Sequence, residues 1–353
     1  MSKNPLYRTL LGFFGVVTFF SIVMYSSGDV RDWFQANVAL SEVRHAEVIG
    51  PQVVPVKDSL APYLEFFAVG DAGTGGAGQQ LVAEAMGRVA AENPVAFVLF
   101  LGDNFYERGV SSITDPQWKT KFEDMYAAKS LQVPFYAVLG NHDYGLNPNA
   151  QVKYTRKSKR WKMPAHYYTF TRRVDDSTAI QFFCLDSYPI SQSSVDDIKA
   201  GKDQPESRLQ RRWLERKLAS SRARWKVVLG HHPLYSNGMH GNNASMEAAL
   251  KGLLEKYGVD FYLAGHDHNL ELLKPLNGVN YIVSGAGGKH RDVEWRDNTV
   301  FAATNLGFTM FRISHRQAIL EFLNRDGKQI FAETFDKPLR TPPVLAVGKK
   351  RRR

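Results

Sequence analysis

The chain has 353 residues, a formal net charge of +10 and a single cysteine, Cys184. One cysteine excludes an intramolecular disulfide and a structural zinc site built from several thiolates. The basic residues are not interleaved with aromatic residues as they are in nucleic-acid-binding chains, so the charge predicts no nucleic-acid partner. The length is sufficient for one large core or two small ones.

The amino-terminal segment differs in kind from the rest of the chain. Lys3 and Arg8 precede an apolar run from about Leu10 to Tyr25. This pattern predicts a secretory signal or an uncleaved membrane anchor over residues 1–28, with the positive charges inside and the remainder outside. The run is slightly short for a spanning helix, which needs about 20 residues, but its lack of a clear small-residue cleavage site favours an anchor. Residues 29–60 are then a linker, and we expect an exported protein, either on the extracytoplasmic face of a membrane or secreted or periplasmic.

Five apolar runs of strand length occur along the chain, and each is followed by a glycine and polar residues. The runs are Phe66–Val69, Ala96–Leu101, Phe135–Leu139, Lys226–Leu229 and Phe261–Ala264. The blocks that follow them are Gly70–Gly73, Gly102–Tyr106, Gly140–Asp143, Gly230–Pro233 and Gly265–His268. Glycine allows the backbone to turn sharply at the carboxyl end of a strand, and open α/β sheets bind their ligands at that edge.

The polar residues of these blocks include Asp, Tyr, Asn and His, which are hard oxygen and imidazole donors without a thiolate. Such a set suits two di- or trivalent ions such as iron, zinc or manganese. Each block alone has an ordinary explanation: Asp71 could cap a predicted helix over Ala77–Ala91, and Asn141 could form a turn. Their repetition at five predicted strand ends favours a two-metal hydrolase instead.

The later part of the chain predicts further strands in quick succession. They are Asn280–Ser284, Phe308–Ile313, Ala318–Asn324 and Gln329–Phe335. Together with the strand–helix alternation of the first half, they predict two packed sheets with outer helices. No repeat or proline-rich linker divides residues 61–340, so we expect one catalytic domain there, followed by a basic tail over residues 341–353.

Three polar segments leave alternatives open. The basic cluster Lys153–Lys162 could steer phosphate-bearing substrates or could be a solvated helix face. The residues Lys349–Arg353 could be a solvated end or could bind an anionic membrane surface beside the anchor. The segment Tyr188–Ser207 predicts a long loop, of the kind that covers a site or is disordered.

The five blocks resemble those of the calcineurin-like metallophosphoesterases. Tyr106, three residues after Asp103, has the spacing found in purple acid phosphatases, and the similarity runs from about Leu64 to Ala332. The chain resembles the small, tartrate-resistant type of these enzymes, including a predicted helix over Leu209–Trp225. The resemblance implies an α/β fold in which a β-sandwich of two mixed sheets is flanked by helices, in a four-layer α/β/β/α arrangement.

The resemblance also implies a centre of Fe(III) plus a divalent ion, which is Fe, Zn or Mn. The implied ligands are Asp71, Tyr106 and His268 for the ferric ion, Asn141, His231 and His266 for the divalent ion, and Asp103 as the bridge between them. This division agrees with the preference of trivalent ions for anionic oxygen donors and of divalent ions for amide and imidazole. His142 and His240 would bind the substrate phosphate or protonate the leaving group.

The implied activity is that of an acid phosphatase that hydrolyses phosphate monoesters, with metal-bound hydroxide as the nucleophile. The alternative is a phosphodiesterase of the same superfamily that acts on nucleotides or lipid headgroups, although such enzymes usually lack the tyrosine at Tyr106. A metal-binding surface protein without catalysis is less favoured, because the ligand set is intact. We expect phosphate monoesters as partners and a monomeric protein.

Overall fold

A computed structural model of the chain describes residues 62–338. The predicted signal or anchor, the linker and the basic tail therefore lie outside the described residues. Within this range no helix is both long enough and apolar enough to cross a bilayer.

The described residues form two seven-stranded sheets. In chain order the strands are β1 (Leu64–Val69), β2 (Phe97–Phe100), β3 (Phe135–Ala137), β4 (Trp161–Lys162), β5 (Tyr168–Arg173), β6 (Ala179–Cys184), β7 (Trp225–Leu229), β8 (Phe261–Ala264), β9 (Leu270–Leu273), β10 (Asn280–Ser284), β11 (Thr299–Ala303), β12 (Gly307–Ile313), β13 (Gln317–Asn324) and β14 (Gln329–Asp336). All of the strands that the apolar runs predicted are present.

The first sheet has the order β14-β13-β12-β1-β2-β3-β4, and the second has the order β11-β9-β10-β8-β7-β6-β5. In the first sheet β1 to β4 run parallel, and β12 to β14 add an antiparallel meander beside β1. In the second sheet β6, β7, β8 and β10 run parallel, while β5, β9 and β11 are antiparallel to their neighbours. Both sheets are therefore mixed, as predicted.

Aromatic side chains fill the space between the two sheets. Phe66 of β1 stacks on Phe97 of β2 at 4.9 Å and on Phe311 of β12 at 5.1 Å between ring centroids. The edge of its ring meets Phe182 of β6, in the other sheet, at 5.4 Å. These four side chains are almost completely buried. Close packing of this kind fixes one sheet relative to the other.

Helices cover the outer faces of both sheets. They are α1 (Ala77–Glu92), α2 (Pro148–Tyr154), α3 (Tyr188–Ser191), α4 (Val195–Ala200), α5 (Pro205–Ser220) and α6 (Ala244–Lys256). In α1, Val82 and Met86 are one helical turn apart and fully buried on the side of the first sheet. Leu214 of α5 and Leu250 of α6 pack with residues of β7 and β8 on the outer face of the second sheet. The four-layer prediction is confirmed.

The parallel strands of both sheets end at one edge of the sandwich. The five polar blocks follow β1, β2 and β3 in the first sheet and β7 and β8 in the second. Because parallel strands place their carboxyl ends together, the fold brings the five blocks to one place although they are spread over nearly 200 residues of sequence.

Two predictions of local structure are wrong. The helix expected over Leu209–Trp225 ends at Ser220. Trp225 is instead the first residue of β7, where its indole is buried and donates a hydrogen bond to the carbonyl oxygen of Ser314 at 2.8 Å. The segment 188–207 is not a structureless loop but contains α3, α4 and the start of α5. Ile190 and Ile198 anchor it, because both are buried in the core beneath these helices.

Candidate metal centre

The first group of predicted ligands comes from β1, β2 and β8. The hydroxyl of Tyr106 donates a hydrogen bond to Asp71 Oδ1 at 3.0 Å and lies 3.1 Å from His268 Nε2. His268 Nε2 is in turn 3.5 Å from Asp71 Oδ1. All three side chains are at least nine-tenths buried. Their three donor atoms form what we call the first triangle.

The second group comes from β3, β7 and β8. Asn141 Oδ1 lies 3.0 Å from His231 Nε2 and 3.1 Å from His266 Nδ1, and the two imidazole nitrogens are 3.2 Å apart. The other ring nitrogen of His231, Nδ1, donates to the carbonyl oxygen of Leu101 at 2.9 Å. That hydrogen bond leaves the lone pair of Nε2 directed at the site. These three donor atoms form the second triangle.

Asp103 lies between the two triangles. Its Oδ2 is 3.5 Å from His231 Nε2 in the second triangle, and its Oδ1 accepts a hydrogen bond from the backbone N–H of His142 at 2.9 Å. Ligand atoms of Asp71, Asp103 and His231 all lie within 4.8 Å of one another, which joins the two triangles into one cluster. The structure thus brings the side chains of all seven predicted ligands together at one place.

The backbone adopts unusual conformations at three of these residues. Asp71, Asp103 and His266 have positive φ angles of 56°, 52° and 72°. In the described residues only one other non-glycine residue, Asn277, has a positive φ. Such conformations cost free energy for L-residues and cluster at functional sites, where surrounding packing enforces them.

Two glycines make room for the acidic and imidazole side chains. A Cβ at Gly265 would lie 2.5 Å from Asp71 Oδ2, and one at Gly102, whose φ is 91°, would lie 2.7 Å from the ring of His231. Any larger residue at these positions would displace a donor atom of the cluster. These two blocks therefore need glycine for the close approach of the side chains as well as for the turn.

Burial dominates the electrostatics of the cluster. It raises the pKa of Asp71 to about 8, with Asp103 contributing in the same direction, and it raises the pKa of Tyr106 well above the usual value. Burial and the charge of Arg291 lower the pKa of His268 to about 4, and burial with the neighbouring histidines lowers the pKa of His266 further. The imidazoles of His266 and His268 are therefore neutral, while Asp71 and Tyr106 need a nearby positive charge in order to ionise.

The geometry fits metal ions. Oxygen and nitrogen donors bound at about 2.0–2.2 Å to one ion lie roughly 3 Å from one another, which is the spacing within each triangle. Neutral imidazoles are the form that binds metal, and a bound cation would supply the positive charge that the buried carboxylates and the phenol need. Each triangle also takes donors from both sheets of the sandwich.

The two histidines predicted to act on substrate border the cluster. The ring of His142 lies 4.5 Å from that of Tyr106, and its Nδ1 is 2.6 Å from the carbonyl oxygen of Glu107. The ring of His240 stacks on His266 with centroids 4.2 Å apart. Both are partly exposed, so they lie where a bound substrate would meet the solvent.

Three neighbouring polar residues have structural contacts. Asp143 accepts hydrogen bonds from the backbone N–H groups of Gly140, Asn104 and Phe105 at 2.9–3.2 Å and so ties the second block to the third. Asp267 accepts from the backbone N–H of His240 at 2.9 Å and holds that histidine in place. His232 is buried, with Nδ1 2.8 Å from Ser187 Oγ. Its ring is 4.6 Å from that of His266, and one of its nitrogens lies within 4.8 Å of ligand atoms of His231 and His266.

One basic residue predicted to be exposed is instead buried. Arg160 of the cluster Lys153–Lys162 forms an ion pair with Glu123 at 2.6 Å and also donates to the carbonyl oxygen of Tyr126. Its role is structural, so it is not available to steer a substrate.

Two basic residues beside the site were missed by the sequence analysis. Lys289 and Arg291 follow β10, which is parallel to β8 and therefore ends at the same edge. The signal was present, since β10 is also followed by a glycine-rich stretch, Gly285–Gly288. It was overlooked because that stretch carries no metal-binding side chain of its own.

Comparison with known proteins agrees with this geometry. Residues 64–270 match the calcineurin-like phosphoesterase family. The chain is 33% identical over 309 residues to tartrate-resistant acid phosphatase type 5 of Oryctolagus cuniculus, covering 81% of this chain and 94% of that protein. It is 32% identical to purple acid phosphatase 4 of Arabidopsis thaliana, over 83% of this chain and 88% of that protein.

Among solved structures, the fold is similar to one titled "GAP50 the anchor in the inner membrane complex of Plasmodium". The two superpose with a TM-score of 0.70 and 26% sequence identity, over 79% of this chain and 90% of the other. A site of buried carboxylates, a phenol, an amide and imidazoles on such a sandwich defines a class of metal-dependent phosphoesterases.

The chain belongs to the calcineurin-like phosphoesterase family and is related within it to the tartrate-resistant and purple acid phosphatases. It is a metal-dependent phosphatase that acts on phosphate esters. Its family implies a binuclear metal centre, and the two triangles are the candidate for it.

Proposed function

We propose that this protein is an acid phosphatase that hydrolyses phosphate monoesters at a binuclear centre of Fe(III) and a divalent Fe, Zn or Mn ion. The observation that carries the proposal is the position of the Tyr106 hydroxyl, 3.0 Å from Asp71 and 3.1 Å from His268. A phenolate beside a carboxylate is an anionic oxygen pair that favours a trivalent ion. The amide and imidazoles of the second triangle favour a divalent ion.

The proposed ligands are those of the two triangles, with Asp103 shared between the ions. Two bound ions would supply an acidified water, an oriented phosphate and neutralisation of the charge that develops on its oxygens. The chain's own contribution is to hold the seven donors rigidly through the buried strand ends. Such preorganisation is the main source of catalysis in phosphoryl transfer.

His142 and His240 are proposed to divide the work on the substrate. Because His142 Nδ1 donates to the carbonyl oxygen of Glu107, Nε2 is the nitrogen that would act on the substrate, and the doubly protonated ring would pass the Nε2 proton to the leaving group. Arg291 Nη1 can only donate, so His240 Nε2 accepts its hydrogen bond at 3.2 Å and the hydrogen is on Nδ1. His240 is therefore better suited to donate a hydrogen bond to the phosphate.

The test is a comparison of two substrates with the full-length, metal-containing protein. p-Nitrophenyl phosphate is a monoester and bis(p-nitrophenyl) phosphate is the matching diester with the same leaving group. We expect faster turnover of the monoester, a maximum at acidic pH and loss of activity after chelation. Faster turnover of the diester would instead support the phosphodiesterase alternative.

A second candidate function is suggested by the similarity to the Plasmodium structure, which is described as the anchor in the inner membrane complex. In that case the domain would hold other proteins at a membrane, and metal-loaded protein would turn over neither ester. The intact ligand set favours catalysis.

We also propose that the segment Leu10–Tyr25 exports the protein and keeps it on the outer face of a membrane, with residues 61–340 as its catalytic domain.

A further inference from the structure

A further group of donor atoms lies where β6 ends, at the same edge of the sandwich as the metal centre, because β6 is parallel to β7. We call it the Tyr144 cluster, and it consists of Tyr144, His166 and Asp186. The hydroxyl of Tyr144 donates a hydrogen bond to Asp186 Oδ2, and His166 Nδ1 lies 2.9 Å from the same oxygen. The hydroxyl oxygen is 3.5 Å from His166 Nδ1. A phenol, an imidazole and a carboxylate thus meet here, as they do in the first triangle.

A series of ring contacts leads from the Tyr144 cluster to the second triangle. The ring of Tyr144 stacks on that of Tyr188 with centroids 4.3 Å apart. The ring of Tyr188 is 6.3 Å from that of His232, which is 4.6 Å from that of His266. The cluster shares no residue with either triangle, so its donor atoms are additional to the seven proposed ligands.

The carboxylate of Asp186 is buried with little compensation for its charge. Its side chain is 3% exposed, and within residues 62–338 His166 is the only basic side chain that pairs with it. In the same range its second oxygen, Oδ1, is buried and has no hydrogen-bond partner. Burial raises the pKa of the Tyr144 phenol, and the negative charges of Asp186 and Glu206 act in the same direction. Buried carboxylates are normally paired or bound to metal, so these features favour a cation at the cluster.

Neighbouring amides hold the donor atoms in place. The side chain of Gln210 accepts a hydrogen bond from the backbone N–H of Asp186 at 2.8 Å and donates one to its carbonyl oxygen at 2.7 Å. His166 Nε2 lies 2.9 Å from Asn149 Oδ1 and donates to it. Metal-binding histidines almost always donate from their other ring nitrogen in this way, which leaves the lone pair of Nδ1 for the ion. The alternative is a proton on Nδ1, which would make His166 and Asp186 a simple ion pair.

We propose that Tyr144, His166 and Asp186 bind an additional divalent metal ion, for which Zn²⁺ is the probe. Imidazole nitrogen and carboxylate oxygen are usual zinc ligands, and donors bound to one ion lie roughly 3 Å apart. The side chain of His166 is 31% exposed, so an ion can enter from the solvent.

The proposed ion would cross-link three segments of the chain. Tyr144 follows β3 of the first sheet, whereas His166 precedes β5 and Asp186 follows β6, both in the second sheet. Its role is therefore to stabilise the fold beside the metal centre. The inference does not rest on the proposed function, because no step of hydrolysis involves these three residues.

The experiment counts zinc ions in the full-length, metal-containing protein. The protein is dialysed against a series of Zn²⁺ concentrations, and the bound metals are measured by mass spectrometry. The parent should take up one more Zn²⁺ per chain than His166→Gln or Asp186→Asn, whatever number of ions the metal centre holds. Loss of a contact that only supports a ligand lowers metal affinity about 10–100-fold, so loss of a ligand should weaken this site at least about tenfold.

His315→Gln is the matched control. His315 is also a partly exposed histidine, but its Nδ1 lies 2.6 Å from Thr178 Oγ1, before the start of β6 and at the opposite end of that strand from Asp186. This variant should bind as much zinc as the parent. A loss equal to that of His166→Gln would mean that zinc binds to surface histidines without a specific site, and would overturn the proposal.

Thermal unfolding gives a second measurement that does not depend on turnover. A ligand that binds only the folded state raises Tm, so excess Zn²⁺ should raise the Tm of the parent and of His315→Gln more than that of His166→Gln. If Asp186→Asn does not fold, His166→Gln decides alone, because its side chain is partly exposed. Equal zinc content and equal shifts of Tm in the parent and His166→Gln would overturn the site and leave the simple ion pair.

Discussion

The ring of His240 stacks on the ring of His266 with centroids 4.2 Å apart. A residue proposed to touch the substrate is therefore positioned directly by a residue proposed to bind metal. The backbone of His240 is held from the other side by Asp267, which lies next to His266 in sequence. The orientation of the substrate and the geometry of the second triangle are thus coupled through one short block of chain.

Substitutions of the histidines should separate metal binding from action on the substrate. His231→Ala or His268→Ala should lower metal content and activity together, because a donor atom is lost. His142→Asn or His240→Asn should keep both ions and reduce kcat. For His142→Asn the loss should be about 10²–10⁴-fold, the usual contribution of a positioned acid or base. Metal analysis beside steady-state kinetics checks this. Loss of metal from His142→Asn or His240→Asn would contradict the assignment.

The same two variants distinguish the roles proposed for them. A proton donor matters most for poor leaving groups, so the loss in His142→Asn should be larger for alkyl phosphates than for p-nitrophenyl phosphate. His240→Asn should slow both substrates equally, because a hydrogen bond to the phosphate does not depend on the leaving group. The reverse pattern would exchange the two roles.

Asp103→Ala should fold normally but hold fewer than two ions per chain, because the shared carboxylate between the triangles is removed. Mass spectrometry of the bound metals gives the measurement, and circular dichroism reports the fold. Asp124→Ala is the control, since Asp124 is exposed and pairs with the exposed Lys119, outside both triangles. Two tightly held ions in Asp103→Ala would show that this residue is not the bridge.

Tyr106→Phe removes only the phenol oxygen and should abolish visible absorption of the iron-loaded protein while preserving the fold. The expected band arises from charge transfer between a tyrosinate and Fe(III). Tyr144→Phe is the matched control, because Tyr144 follows the third block but belongs to neither triangle and bonds to Asp186 instead. A variant at position 106 that is as coloured as the parent would point to another chromophore.

Glu271 should make stability depend on pH. Its side chain is fully buried beneath the loop that carries His240, where it accepts hydrogen bonds from the backbone N–H of Asn237 at 3.1 Å and the hydroxyl of Ser236 at 3.3 Å. Burial raises its pKa from 4.5 to about 7. Because the folded-state pKa is the higher one, the protonated form stabilises the fold below about pH 4.5, and this contribution is lost as the pH rises through 7.

Glu271→Gln keeps an acceptor without the charge. As the pH rises from 4.5 to 8, the free energy of unfolding of the variant should increase relative to that of the parent by up to about 3 kcal/mol. Denaturant unfolding at both pH values, with Glu294→Gln as an exposed control, gives the comparison. Parallel pH profiles for parent and variant would mean that Glu271 does not titrate in this range.

The amino-terminal segment gives a prediction about location. If Leu10–Tyr25 is an uncleaved anchor, the full-length protein should stay with membranes after a high-salt wash and be released only by detergent. A soluble protein with a new amino terminus near residue 28 would show a cleaved signal instead. Deletion of residues 1–28 is the control and should leave the protein in the soluble fraction of the cytoplasm.

Much of the site could be predicted from the sequence because its geometry follows from strand ends. Parallel strands align their carboxyl ends, so Asp71, Asp103, Asn141, His231 and His266 meet as soon as the strands pair. The grouping into two triangles needed the resemblance to known enzymes, since strand order and the spacing between the sheets cannot be read from apolar runs. The structure then places the donor atoms about 3 Å apart.

The misses have a common physical cause, which is tertiary packing. Arg160 belongs to a basic stretch but is drawn into an ion pair with Glu123. Segment 188–207 is polar overall, yet two isoleucines are enough to hold its short helices on the core. Lys289 and Arg291 were missed because a lysine and an arginine after a glycine-rich stretch do not reveal, without the fold, that β10 ends beside β8.

Each triangle combines donors from the two sheets, with Asp71, Tyr106 and Asn141 on one side and His231, His266 and His268 on the other. Neither half of the sandwich alone can assemble a binding site, so metal uptake should come after the two halves have closed on each other. Each bound ion would then cross-link the two sheets. Starvation for metal should leave a folded precursor whose halves separate more easily, and protease cleavage near the seam would be its earliest sign.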